Sequence, residues 1–240
     1  MKKNGKQLVR YQDLRCISVC DSGETFLSLN EIGIKSGYWK TKKDMMNILN
    51  GNILVRKAVG LKIKSANELL QKAYPTLALF CLYGYRSMEI QIKSFQKTLS
   101  EMTQNIFIPD PTELYEKVHR QIAVPTVAGH PTGGAIDMCI INVKNKKLLN
   151  FGSKPYDYSR SVYSTYSKAV STKARKNRLI LRNVMIKTGF APYDGEWWHF
   201  SYGDREWAYY YGKKYSIYKQ VSVSEIKTLT KNILYRKIVS

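Results

Sequence analysis

The stretch Gly195–Tyr202 reads GEWWHFSY and holds one of the three histidines of the chain. It is either a greasy core strand with polar ends or one wall of a site built from Glu196 and His199. The step of three residues between them decides the matter. Side chains of a regular strand alternate with a period of two, so residues three apart face opposite ways. Both can serve one site only if the backbone bends, or the strand ends, between them. Trp197 and Trp198 would then screen that site from water and lower its dielectric.

Upstream, GHPTGGAIDM (129–138) places His130 and Asp137 around Pro131, Gly133 and Gly134. Those residues argue against a helix and for a loop at His130 that leads into a strand carrying Asp137. Gly134 and Ala135 would let the backbone come close to a metal or substrate. Alone, the pair reads as a satisfied polar contact at a strand end. With His199 added, it becomes two nitrogens and one oxygen, a three-ligand set suited to catalytic zinc with a fourth position open. Glu196 is the spare carboxylate, placed to take a proton from water and return it to a leaving amine. A site of that kind also needs a donor for the oxyanion. LYGYRSMEIQ (82–91) offers Arg86 just past an apolar strand candidate, where an arginine can equally be a surface residue.

Taken together and in this order, AGHPTGGAID, EWWH and YGYR resemble the D-alanyl-D-alanine dipeptidases of the VanX type, with their S-x-H-x-x-G-x-x-x-D, E-x-W-H and G-Y-R stretches. VRKAVGLKIKSANELLQKA, FGSKPYD, NRLILRNVMIKTGF and EWWHFSYGDREWAYY look like further segments of that family. The resemblance covers about residues 54–218, with 1–53 a divergent amino-terminal segment and 219–240 a closing helix. It implies a fold shared with D,D-carboxypeptidases and hedgehog, and one zinc ion held by His130, Asp137 and His199. It also implies Glu196 as catalytic base, Arg86 as transition-state and substrate contact, and Asp157 as the carboxylate that takes the substrate's free amine. The implied substrate is D-alanyl-D-alanine or a similar short D-amino-acid dipeptide, within cell-wall turnover. Three departures bear on that specificity. Ala128 replaces a serine, Tyr83 stands where an aspartate is usual, and Cys16 stands where an aromatic is common.

Competing functions follow from the same residues. A D,D-carboxypeptidase acting on longer wall peptides is the nearest, although its relatives more often carry a proline in the EWWH motif. A non-hydrolytic metal-site binding protein is a second, against which the intact Glu196 argues. The net charge of +21 raises nucleic acid as a third. The basic residues are dispersed, however, and the densest run, KARKNR (173–178), leads into a helical pattern and reads as a solvated face.

In 240 residues, 44% of them hydrophobic, no repeat or flexible linker divides the chain. The expectation is a single α+β domain around a mostly antiparallel sheet flanked by helices. Ser65 with Glu68, Asp110 with Pro111, Ser171 or Thr172, and Ser222 with Glu225 mark helix starts. Gly189 closes the third of these helices, and the last runs to about Val239. Strands are expected at 76–82, at 135–143, and across EWWHFSY and WAYYYG (207–212), the last two joined by a GDRE hairpin turn. His119 reads as a solvated helix residue. Cys16, Cys20, Cys81 and Cys139 read as structural thiols without a disulfide. With no signal-peptide pattern and no apolar run of membrane-spanning length, the expected location is cytoplasmic, with a small dipeptide as partner.

Overall fold

A computed structural model describes residues 8–103, 110–158 and 162–230. Its central feature is a four-stranded sheet, every neighbouring pair of which is antiparallel. In chain order the elements are α1 (Tyr11–Arg15), β1 (Ser18–Val19), β2 (Phe26–Ser28), β3 (Leu54–Arg56), α2 (Lys57–Ala73), β4 (Leu77–Tyr83) and α3 (Met88–Thr103). These are followed by α4 (Pro111–His119), β5 (Ala135–Asn142), α5 (Thr172–Lys187), β6 (Ala191–Pro192), β7 (His199–Ser201), α6 (Arg205–Tyr210), β8 (Tyr215–Ser216) and α7 (Val223–Leu229). The main sheet has the order β4-β5-β7-β6, while β2 pairs with β3 antiparallel and β1 with β8 in parallel. The expected α+β architecture is present.

The apolar positions of α2 recur at Val59, Ile63, Ala66 and Leu70, all fully buried, and this stripe packs the helix on β4 and α5. The same stripe corrects the expected start. Ser65 and Glu68 are exposed residues in mid-helix and cap nothing, because the periodic pattern begins at Lys57. Two other starts lie where the sequence put them. Asp110 accepts from Thr112 N at 2.8 Å, and Ser171 accepts from Ala174 N at 3.2 Å. Gly189, at φ +91°, follows the end of α5 in a left-handed conformation that glycine adopts without steric cost. The Ser222–Glu225 capping box opens α7; its expected continuation beyond residue 230 lies outside the described residues.

Two strand expectations need correction. WAYYYG is not a strand. Asp204 caps a helix there, its Oδ1 accepting from Trp207 N at 3.0 Å, so GDRE opens α6 instead of turning a hairpin. Only His199–Ser201 of EWWHFSY is extended, and the hairpin lies upstream, between β6 and β7. The loop from 193 to 198 bends through two tight turns, Glu196 N to Tyr193 O at 3.0 Å and His199 N to Glu196 O at 3.3 Å. Trp197 and Trp198 are buried beneath it, Trp197 stacked on Phe151 with ring centroids 4.1 Å apart.

KARKNR is only partly a solvated face. Lys173 and Lys176 are exposed, but Arg178 is wholly buried and donates to Phe151 O at 2.7 Å and Ser164 O at 2.6 Å. All four cysteines are free; Cys81 and Cys139 lie in the core, whereas Cys16 and Cys20 are exposed. Among the described residues, no helix is long and apolar enough to cross a membrane.

Candidate active site

The register of the main sheet builds the site. A bulge between Cys81 and Tyr83 shifts β4 so that Tyr83 lies opposite Asp137, and Asp137 in turn lies opposite His199. Residues directly opposite in antiparallel strands share a face with their β-carbons about 5 Å apart. One row across three strands therefore carries a tyrosine, an aspartate and a histidine. His130 joins them from a 3₁₀ turn, His130–Thr132, just before β5. Gly133 ends that turn at φ +72°, where a β-carbon would meet the Phe26 ring at 2.2 Å, so only glycine fits. The buried Arg56 guanidinium, stacked on Phe26, donates through Nε to Thr132 O at 2.8 Å and fixes the turn to β3. Gly134 packs against the Tyr202 carbonyl, so its small size serves strand packing and not approach to a ligand.

The donor atoms of His130, Asp137 and His199 all lie within 4.8 Å of one another, close enough to hold one metal ion. Asp137 Oδ1 is 3.5 Å from His130 Nε2 and 3.1 Å from His199 Nδ1. The outer nitrogen of His130, Nδ1, lies 2.8 Å from Gly84 O, which sets that ring to present Nε2 to the cluster. Burial pulls His130 below the ordinary histidine range, favouring the neutral form that a ligand requires. Burial pushes Asp137 up, but His130 and His199 more than offset it and keep the carboxylate ionised. Burial alone would lower His199; Glu206 and Asp137 outweigh it and hold the ring well above its usual value.

Glu196 stands apart from this cluster, in the wall of the same cavity. Burial raises its pKa from 4.5 to about 7. The Tyr158 hydroxyl donates to Glu196 Oε1, while the Tyr156 hydroxyl donates to Asp137 Oδ2 at 2.8 Å. Tyr156 holds φ +61°, an uncommon conformation for a residue with a β-carbon. Asp157, between these tyrosines, is half-buried and lies outside the described lining of the cavity. Arg86 lines the cavity, with Nη1 donating to Gln91 Oε1 at 2.8 Å and its guanidinium 4.8 Å from the Tyr83 ring centroid. The Tyr83 hydroxyl donates to Asp44, and Arg86 Nε donates to that hydroxyl at 3.4 Å.

Four residues of the site carried no signal that the sequence reading used. Tyr156 and Tyr158 flank the aspartate that drew attention, and their step of two was the available clue. Glu206 lay in a stretch read as a hairpin turn. His119 is a correction: it is buried rather than solvated, lines the cavity, and accepts from Val124 N at 3.2 Å through Nδ1. Burial holds it below the ordinary histidine range.

Two imidazoles and a carboxylate around one point, with a second carboxylate and an arginine facing the same cavity, define the class of metal-dependent hydrolases. Residues 40–221 match the family described as D-ala-D-ala dipeptidase, peptidase M15. The chain belongs to that family and is a metallopeptidase. It is similar to the D-alanyl-D-alanine dipeptidase of Synechocystis sp., 25% identical over 232 residues, which covers 86% of this chain and 93% of that protein. The D-alanyl-D-alanine dipeptidase of Enterococcus faecalis is 25% identical over 153 residues, 62% of this chain and 72% of that one. Among solved structures, the LdcB LD-carboxypeptidase aligns over 87% of this chain and 79% of its own, with 16% identity and a TM-score of 0.45.

Proposed function

We propose that the protein is a zinc-dependent dipeptidase that hydrolyses D-alanyl-D-alanine or a similar short D-amino-acid dipeptide. The observation that carries this reading is the convergence of His130, Asp137 and His199 within 4.8 Å in the cavity that Glu196 lines. His130, Asp137 and His199 would hold a zinc ion, which would supply the Lewis-acid chemistry that acidifies water and polarises a carbonyl. Glu196 is the base. With a pKa of about 7 it accepts a proton from water near neutral pH and passes it to the departing amine. Tyr158 holds the Glu196 carboxylate in place, and Tyr156 does the same for Asp137. Arg86, tied to Gln91 and Tyr83, meets the developing oxyanion with a donor fixed in advance. Asp157 is the proposed anchor for the substrate amine.

The test is a panel of D,D-, L,D- and L,L-dipeptides together with a wall pentapeptide, assayed before and after chelation and zinc return. Release of free D-alanine from the D,D-dipeptide, lost on chelation and restored by zinc, is the expected result. Cleavage of the pentapeptide alone would move the protein to the carboxypeptidases, and no cleavage by zinc-loaded protein would overturn the reading. Glu196→Ala is expected to abolish turnover while leaving zinc bound at one equivalent, measured by metal analysis after gel filtration. Retained hydrolysis by that variant would remove Glu196 from the role of base.

A further inference from the structure

Glu206 is a buried carboxylate that the reaction above does not use. It lies in the first turn of α6, immediately behind the metal cluster. His199 presents its two ring nitrogens to two different carboxylates. Nδ1 lies 3.1 Å from Asp137 Oδ1, on the side facing His130, and Nε2 lies 3.4 Å from Glu206 Oε2. Nε2 is otherwise buried without a hydrogen-bond partner among the described residues. At 3.4 Å the contact is longer than a formed N–H···O bond, and no competing acceptor is recorded at that atom. The Ser201 hydroxyl donates to the same Glu206 oxygen at 3.4 Å, which aims the carboxylate at the ring.

We infer that Glu206 is a positioning residue for the metal site, acting through His199. His199 Nδ1 is hydrogen-bonded to Asp137 Oδ1 at 3.1 Å; with a metal held in the cluster that nitrogen would ligate, and Glu206, 3.4 Å from Nε2, would take the proton on the other side of the ring. This rests on the metal reading proposed above. The arrangement complements that of His130, where the Gly84 carbonyl takes Nδ1–H and leaves Nε2 for the cluster. Each ligand ring thus faces an acceptor at its outer nitrogen, a backbone carbonyl at 2.8 Å for His130 and a carboxylate at 3.4 Å for His199. Such partners orient the ring and raise its basicity, and losing one weakens metal binding by about 10- to 100-fold.

A purely structural Glu206, placed for the charge it brings to the first turn of α6, makes a different prediction. Glu206→Gln and Glu206→Met would then behave alike, because both remove that charge. A positioning Glu206 separates them: the glutamine oxygen can still accept Nε2–H, and the methionine of similar length cannot. The experiment is zinc titration of wild type and both variants against a chromophoric chelator. Metal-free thermal unfolding serves as the fold control, and long-range ¹H–¹⁵N spectra of the histidine rings report the tautomer. Glu206→Met is expected to lower zinc affinity about 10- to 100-fold, while Glu206→Gln stays within severalfold of wild type. In zinc-loaded wild type, His199 is expected to carry its proton on Nε2. Equal zinc affinity in all three proteins, equal losses in both variants, or a wild-type ring protonated on Nδ1 would overturn the inference. Where a variant fails to fold, a wild-type ring protonated on Nδ1 would still overturn the inference. Failure of the wild type to bind zinc at all would instead remove the metal reading on which the inference stands.

Discussion

Glu196, the proposed base, ties the proposed chemistry to stability. Its pKa rises from 4.5 to about 7 because burial disfavours the charged form, and the hydrogen bond from Tyr158 offsets only part of that. A carboxyl raised in the folded state contributes stability that is fully present below 4.5 and is lost as pH rises through about 7. In metal-free protein, the stability of wild type relative to Glu196→Gln is therefore expected to fall by about 2 kcal/mol between pH 5 and pH 8.5. Urea unfolding of both proteins at a series of pH values measures it, and a constant difference across that range would contradict it. Residues of this kind are the legible part of the site. His130, Asp137, Glu196, His199 and Arg86 are reactive types at recognisable spacings, and the structure brings all five to one cavity. Tyr156, Tyr158, His119 and Glu206 were not legible. A tyrosine or a buried carboxylate becomes part of a site only through a neighbour distant in sequence, as Tyr158 does through Glu196, 38 residues away.

At the scale of elements, the β6–β7 hairpin does what the three-residue step from Glu196 to His199 required. His199 leaves the loop as the first residue of β7, and Glu196 stays in the turns before it. The loop is held from outside by α5, where Arg182 donates to both oxygens of the buried Asp194 at 2.7 and 2.9 Å. Arg182→Met removes two of the contacts that hold this buried carboxylate, and is expected to lower stability by up to about 3 kcal/mol. It is also expected to lower kcat, because Asp194 is two residues from Glu196. Adding Asp194→Asn should recover much of the stability, and a double-mutant cycle in urea measures the coupling. Independent, additive effects would show that the pair does not hold the loop. Sequence pattern located α4, α5 and β5 well, since caps and apolar runs are local signals. It misread WAYYYG because aromatic residues favour strands, whereas the Asp204 cap and the buried Ala208 and Tyr210 commit the segment to a helix.

For the whole molecule, the question is what a net charge of +21 does. Exposed lysines occur at Lys35 and Lys40, at Lys144, Lys146 and Lys147, at Lys173 and Lys176, and at Lys213 and Lys214, in separate loops and helices of the fold. The cavity that Glu196 lines is different in kind: Lys42 and Arg86 share it with Asp137, Glu196 and Glu206, so opposite charges meet within it. Dispersed cations bind a polyanion by releasing its counterions, without reading sequence, and such binding weakens steeply as salt rises. Association with a labelled DNA duplex is therefore expected at low ionic strength, to fall linearly on a log–log plot against salt, and to be weak near about 150 mM salt, where non-specific affinities are typically micromolar or poorer. Dipeptide hydrolysis, confined to the cavity, is expected to be unchanged by saturating duplex at that salt concentration. Sequence-dependent binding that survives physiological salt, or inhibition of hydrolysis by duplex under those conditions, would mean that the charge forms a dedicated surface continuous with the active site.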